Sequence, residues 1–147
     1  LSSTKTGNII FIDPTLETQT YYLQYTPNNR INWVTGINNF PFEENAFDAI
    51  ICSNSFHHYP NPQAFFDSVK RCLRPGGRLI LRDVTSENKF LLWFMDKIEL
   101  PIANLCGHGD VKIATRETVM ECCKKSGLKV EKFEIRKGMR MHCVVRK

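Results

Sequence analysis

Two proline-bearing junctions, Asn61-Pro62 and Arg74-Pro75-Gly76-Gly77, bracket one amphipathic segment between two short apolar runs. Few folds accommodate that order. Asn61 can accept hydrogen bonds from the first free N–H groups of a helix, and Pro62 at the first helical position sacrifices no donor. Phe65, Phe66, Val69, Cys72 and Leu73 recur at helical spacing, which predicts a stripe facing a core while Asp67, Ser68, Lys70 and Arg71 face water. Pro75 cannot continue the helix, and the paired glycines permit a sharp turn into the next run. The flanking runs, Ala49–Cys52 and Leu79–Leu81, are short and apolar as buried strands are. Strand, crossover helix and strand make a right-handed βαβ unit in a parallel sheet. In such sheets ligands bind beyond the carboxyl ends of the strands, so Ser53 to His58 and Asp83 to Ser86 are expected at the mouth of a site.

The remaining chain extends the same pattern. Asn8 to Ile12 reads as a strand closed by Asp13-Pro14, and Ile31 to Val34 as another after an intervening helix from Leu16 to about Gln24. Thr115 is placed to cap a helix running through Ser126, with Val119, Met120, Cys122 and Cys123 inward and Gly127 ending it. Leu128 to Ile135 and Met139 to Val145 read as a terminal antiparallel hairpin turning near Lys137-Gly138. The methionines of this hairpin and His142 are expected in core and surface rather than in a site. Phe90 to Leu105 is strongly apolar but interrupted by Asp96, Lys97, Glu99 and Pro101, which argues against a membrane span.

Four motifs in register carry a family resemblance: Phe40-Pro41-Phe42, Phe47-Asp48, His57-His58 and Leu73-Arg74-Pro75-Gly76-Gly77. With this order and spacing, the chain from about Asn8 to Val145 resembles the later part of a class I S-adenosylmethionine-dependent methyltransferase domain of the small-molecule and quinone-biosynthesis type. The resemblance implies a Rossmann-like, doubly wound, mostly parallel sheet with a C-terminal antiparallel hairpin. It also implies S-adenosylmethionine as cofactor. Asp13 then falls where the family's second strand delivers a carboxylate to the ribose hydroxyls, although an aspartate before a helix also serves as a simple cap.

The sequence departs from the family in two places. The loop after Asp13 contains no glycine and cannot bring several backbone N–H groups to a ligand, so the family's glycine-rich element and first strand are expected to be missing. The chain accordingly reads as one methyltransferase-like domain, residues 1–147, incomplete at its N-terminal end. Such a chain is expected to bind the cofactor weakly or not at all and to associate as a homo-oligomer through open strand edges, unless those strands pair with each other or with another chain. Gly36 stands where family members place an adenine-reading acid, leaving the Ile37 backbone N–H and an apolar wall. Cofactor contacts are thus assigned to Asp13, Pro14, Gly36, Ile37, Ser53 and Asn54.

Catalysis leaves less of a mark. His57 or His58 can deprotonate an acceptor near neutral pH, but the pair accompanies many substrates in the family, which favours a structural or cofactor-shaping role. Methyl transfer from a sulfonium proceeds through alignment and needs no obligatory acid or base. The apolar stretch 90–105 suits a lid over a small, partly apolar acceptor, against the alternative of a core helix or a dimer contact. The expected function is methyl transfer to such an acceptor; the alternative is a degenerate binding module or partner subunit without catalysis.

Charge and cysteine content set further bounds. The net charge of +5 is concentrated in residues 111–147, which carry eleven basic and four acidic side chains. Their alternation with apolar residues is that of a solvated strand face, so nucleic acid is not the expected partner. Six cysteines without a C-x-x-C pair, and no secretory signal, point to reduced thiols in a cytoplasmic protein. Cys106 and His108 have no second pair at ligand spacing, so no metal is expected.

Overall fold

A computed structural model describes residues 9–12, 31–33, 42–105 and 112–147. Among the described residues six strands form one sheet: β1 (Ile9–Ile12), β2 (Ile31–Trp33), β3 (Phe47–Ser53), β4 (Leu73–Val84), β5 (Lys129–Arg136) and β6 (Arg140–Arg146). Their order is β2-β1-β3-β4-β6-β5. The first four run parallel, and β6 is antiparallel to both β4 and β5. The mostly parallel α/β sheet and its C-terminal hairpin are as the sequence predicts. The edges of β1 and β3 are not open to each other's absence, because the two strands pair directly, Ile9 with Ala49 through Ile12 with Cys52. That pairing removes the strand-edge argument for self-association.

Helix α1 (Pro62–Cys72) crosses from β3 to β4 as expected. Asn61 Oδ1 accepts from the Ala64 N–H at 3.1 Å. Phe65, Phe66, Val69 and Cys72 are fully buried and pack on Ile50, Cys52, Leu79 and Leu81. Ser68, expected toward water, is buried as well, while α4 (Arg116–Lys125) covers another side of the helix, where Gln63 donates to Ser126 and Lys70 to the Gly127 carbonyl. Thr115 caps α4 by accepting from the Thr118 N–H at 3.2 Å. Val119, Cys122 and Cys123 face inward, but Met120, expected among them, is exposed.

The stop at Arg74-Pro75-Gly76-Gly77 is a bulge inside β4 rather than a turn before it. Leu73 pairs with Phe47 and Arg78 with Ala49, so the residues between them loop out against a two-residue step on β3. Gly77 has no room for a side chain: a Cβ there would lie 2.9 Å from the Arg74 carbonyl oxygen and 3.1 Å from that of Asp48.

After β4 the chain forms α2 (Lys89–Phe94), a π-helical turn (Met95–Glu99) and α3 (Leu100–Leu105). Met95 and Leu100 are both buried, in one cluster with Ile113 and the half-buried Val84, Leu91 and Leu92. Five residues apart, they would diverge by about 140° on an α-helix, whereas the wider π turn brings them to within about 50°. Pro101 follows directly and removes a donor that α-helical bonding would need. Among the described residues no helix is long and apolar enough to cross a membrane.

Candidate functional site at the carboxyl rim of the sheet

Residues from three separate stretches meet at the carboxyl ends of β3 and β4. Ser53 ends β3, and Asn54 turns the chain with φ 52°, a left-handed conformation that asparagine tolerates better than most residues. The Asn54 N–H donates to the Arg82 carbonyl at 2.8 Å, fixing the elbow to β4. The stretch that reads as polar then folds half of itself into the core. Phe56 and Tyr59 are buried and their rings pack on Phe65 of α1, with centroids 5.4 and 5.1 Å away. Ser55, also buried, shares its hydroxyl with Tyr59 at 3.3 Å and with the Cys52 thiol at 3.3 Å. Burial, joined by the neighbouring Cys52, pushes the Tyr59 phenol far above its ordinary value and keeps it neutral.

What remains at the rim is Asn54 and the histidine pair, set by a 3₁₀ turn over Phe56–His58. His57 Nδ1 lies 2.6 Å from Asp83 Oδ1, and the His57 backbone N–H donates to Asp83 Oδ2 at 3.1 Å. The Val84 N–H donates to Asp83 Oδ1 at 2.7 Å. Asp83 is 1% exposed and its oxygens accept from two backbone N–H groups, so Nδ1, facing Oδ1, is the ring nitrogen that donates to it. The His58 ring lies against that of His57, centroids 4.1 Å apart. The arrangement holds one imidazole in one tautomer and one orientation. Asp83 is expected at the mouth from its strand-end position, but its bond to His57 has no signature in the sequence.

Beside this pair lies a cleft of about 320 Å³ lined by Ser53, Asn54, Arg82, Asp83 and, from the β5–β6 turn, Arg136, Lys137, Arg140, Met141 and His142. The turn is narrow because Lys137 and Gly138 both adopt positive φ, and the Thr85 N–H donates to the Met139 carbonyl at 3.0 Å, pinning it to the end of β4. Met141 and His142, expected only in core and surface, therefore border the cleft. Arg140 donates to Asn54 Oδ1 at 3.0 Å, and Arg82 Nε to His142 Nδ1 at 3.3 Å. Partial burial, then the Arg136 and Arg82 charges, hold the His142 imidazole below its ordinary pKa, so it is neutral at pH 7.

The apolar helices 89–105 attach just past Val84. Phe90, Trp93, Phe94, Ile98 and Ile102 are exposed, with Trp93 at 52% and Phe94 at 40%. The segment is therefore a surface element anchored by Met95 and Leu100 rather than a core helix. Asp13, Pro14, Gly36 and Ile37, and with them the ribose and adenine contacts, lie outside the described residues, as do Cys106 and His108. Among the described residues, no three metal-ligating side chains converge.

A family model described as a methyltransferase domain matches residues 2–81, more than half of the chain. The chain belongs to that family. It is a class I S-adenosylmethionine-dependent methyltransferase domain, and S-adenosylmethionine is the cofactor of the family. The domain shares its fold with an S-adenosylmethionine-dependent methyltransferase from Mesorhizobium loti, with TM-score 0.68 and 12% identity over 100% of this chain and 94% of that one. An S-adenosylmethionine-dependent methyltransferase from Aquifex aeolicus matches with TM-score 0.65 and 14% identity, over 97% of this chain and 82% of that one. In sequence, the methyltransferase domain is 36% identical over 67 residues to phthiotriol/phenolphthiotriol dimycocerosates methyltransferase 1 of Mycobacterium ulcerans, covering 46% of this chain and 25% of the relative. It is 40% identical over 58 residues to the phthiotriol/phenolphthiotriol dimycocerosates methyltransferase of Mycobacterium leprae, 40% of this chain and 22% of the relative. The chain matches about a quarter of the length of these curated relatives.

Proposed function

We propose that the protein transfers a methyl group from S-adenosylmethionine to a small, partly apolar acceptor held between the elbow 53–58 and the helices 89–105. The observation that carries this reading is the row of exposed aromatic and aliphatic side chains, Phe90, Trp93, Phe94 and Ile98, on a segment anchored at the carboxyl end of β4. Apolar surface beside a rim built of polar groups is the composition of a small-molecule site.

The order of the strands supports placing the donor at this rim. Its sulfonium carries an electrophilic methyl group, and the carboxyl ends of β1 and β3 stand in register at Ile12 and Cys52. In sequence, Asp13 follows β1 and Ser53-Asn54 follows Cys52, a carboxylate suited to ribose hydroxyls and a polar elbow. The role of this chain is then alignment: the elbow, fixed by the Asn54–Arg82 bond, and the helices 89–105 hold the acceptor in line with the methyl group. His57, kept in one tautomer by Asp83, shapes the space between them. Where the acceptor is a hydroxyl or an amine, Nε2 of His57 is the basic nitrogen that can take its proton.

Calorimetric titration with S-adenosylhomocysteine tests the reading. Binding is expected, and Asp13→Ala should weaken it by about 10- to 150-fold, the loss of a charge-assisted bond worth roughly 1.5–3 kcal/mol. Undetectable binding to the unsubstituted full-length protein would sink the proposal in favour of a binding module without catalysis.

A further inference from the structure

The cleft beside the His57–Asp83 pair is cationic in a way that methyl transfer does not require. Arg82, Arg136, Lys137 and Arg140 line it, against the single carboxylate of Asp83. That carboxylate is buried and spent on His57 and Val84. Glu134, the acid next to the turn, pairs with Lys132 at 2.8 Å and with Arg136 at 2.9 Å, offsetting the Arg136 charge and leaving Arg82, Lys137 and Arg140 as the cleft's uncompensated cations among the described residues. The cations are also held in place. Arg140 is tied to Asn54 and Arg82 to His142, while the left-handed turn at Lys137-Gly138 projects the hairpin over the end of β4. Fixing like charges around one concave space costs free energy through mutual repulsion, which an anion relieves.

Which molecule brings the anion follows from charge and position. The donor's sulfonium is itself cationic and is repelled here. The cleft shares Ser53 and Asn54 with the proposed donor contacts but opens on the side of β3 away from β1, toward the hairpin turn, whereas the remaining donor contacts follow β1 and β2 in the chain. At the same time the segment leaving β4 is bonded to the hairpin at Thr85 and leads directly into the apolar helices. Resting on the methyl-transfer reading, we propose that this cleft holds an anionic group of the acceptor, a carboxylate or a phosphate. The acceptor is then a small amphipathic acid whose apolar body runs toward Phe90, Trp93 and Phe94.

The test is an NMR titration of the His142 imidazole with inorganic phosphate and, separately, with benzoate, each with and without saturating S-adenosylhomocysteine. An anion in the cleft offsets the Arg82 and Arg136 charges that disfavour the imidazolium, so the pKa of His142 should rise on binding. The double variant Lys137→Asn/Arg140→Gln should weaken either anion by about tenfold or more, as loss of two partly screened charges implies. Asparagine tolerates the left-handed backbone of position 137, and glutamine keeps an amide donor for Asn54, so both changes spare the fold.

Anion affinity should be the same with S-adenosylhomocysteine present. No response of His142 to either anion, or equal affinity in the double variant, overturns the proposal. So does loss of anion binding on saturation with S-adenosylhomocysteine, which would make the cleft the seat of the donor's own carboxylate. Should the protein fail to bind S-adenosylhomocysteine at all, the methyl-transfer reading falls and the acceptor assignment with it, while the anion titration still reports whether the cleft is a site.

Discussion

Nδ1 of His57 and Oδ1 of Asp83 lie 2.6 Å apart, joining the elbow after β3 to the end of β4 across 26 residues of sequence. The bond accounts for two things together: a carboxylate can be buried at the rim because three donors satisfy it, and the histidine can hold a single orientation because its partner cannot move. Asp83→Asn should therefore act on both. An amide cannot accept from all three donors in the same way, so unfolding in urea should show a loss of about 1–3 kcal/mol. An Asp83→Asn protein with unchanged stability would mean that the carboxylate is dispensable at this position.

The backbone approach at the β4 bulge gives a second expectation. Gly77→Ala would drive a methyl group against two carbonyl oxygens, Arg74 and Asp48, neither of which is a flexible side-chain end. Destabilisation by about 1–3 kcal/mol should follow, with a lower midpoint in thermal unfolding. Gly138→Asn, at the open hairpin turn, should cost far less, since nothing lies within 4 Å of a Cβ there and asparagine accepts a positive φ.

The apolar helices separate anchors from working surface. Met95→Ala should cost about 2–5 kcal/mol, because that side chain is 1% exposed and fills the cluster with Leu100 and Ile113. Trp93→Ala and Phe94→Ala should change stability by no more than about 0.5 kcal/mol. In an assay with the acceptor, however, they should raise its KM more than that of the donor. Equal loss for both substrates would remove these rings from the acceptor's surroundings.

Alkaline pH should weaken the fold. Burial, with smaller contributions from neighbouring thiols, pushes Cys123 up to about 12, and burial does the same for Cys143, from an ordinary 9.0. A raised acid pKa means that the unfolded chain loses these protons first. The thiols' contribution is thus complete below pH 9 and is lost as pH rises from 9 toward 12. Urea unfolding at pH 7.5, 9 and 10 should show the decline, and Cys143→Val should flatten it. The same burial predicts that iodoacetamide leaves both thiols unmodified until the protein unfolds.

Much of the scaffold is legible locally. The Asn61 and Thr115 caps, the helix between two proline-bearing junctions and the Lys137-Gly138 turn are each written in a few adjacent residues, and each forms as the local chemistry dictates. The misreadings concern which side of an element meets which neighbour. Ser68 is buried, and Phe56 and Tyr59 pack under α1, because tertiary neighbours rather than local pattern choose those faces. The rim is the least legible part. Arg140 reaches Asn54 across 86 residues, and a strand face of alternating charge gives no hint that its turn will border a cleft. Polar contacts of this range depend on strand order and register, which no local pattern encodes.

The π turn before Pro101 gives the surface helix a spare unit of length. Met95 and Leu100 reach one cluster five residues apart because the turn between them is wide. Shortened by one residue, the same two anchors would stand four apart, the spacing at which an ordinary α-helix already places side chains on one face. The anchoring thus tolerates two lengths of chain, and the exposed row from Phe90 onward can be re-cut against differently sized molecules while the sheet beneath stays as it is.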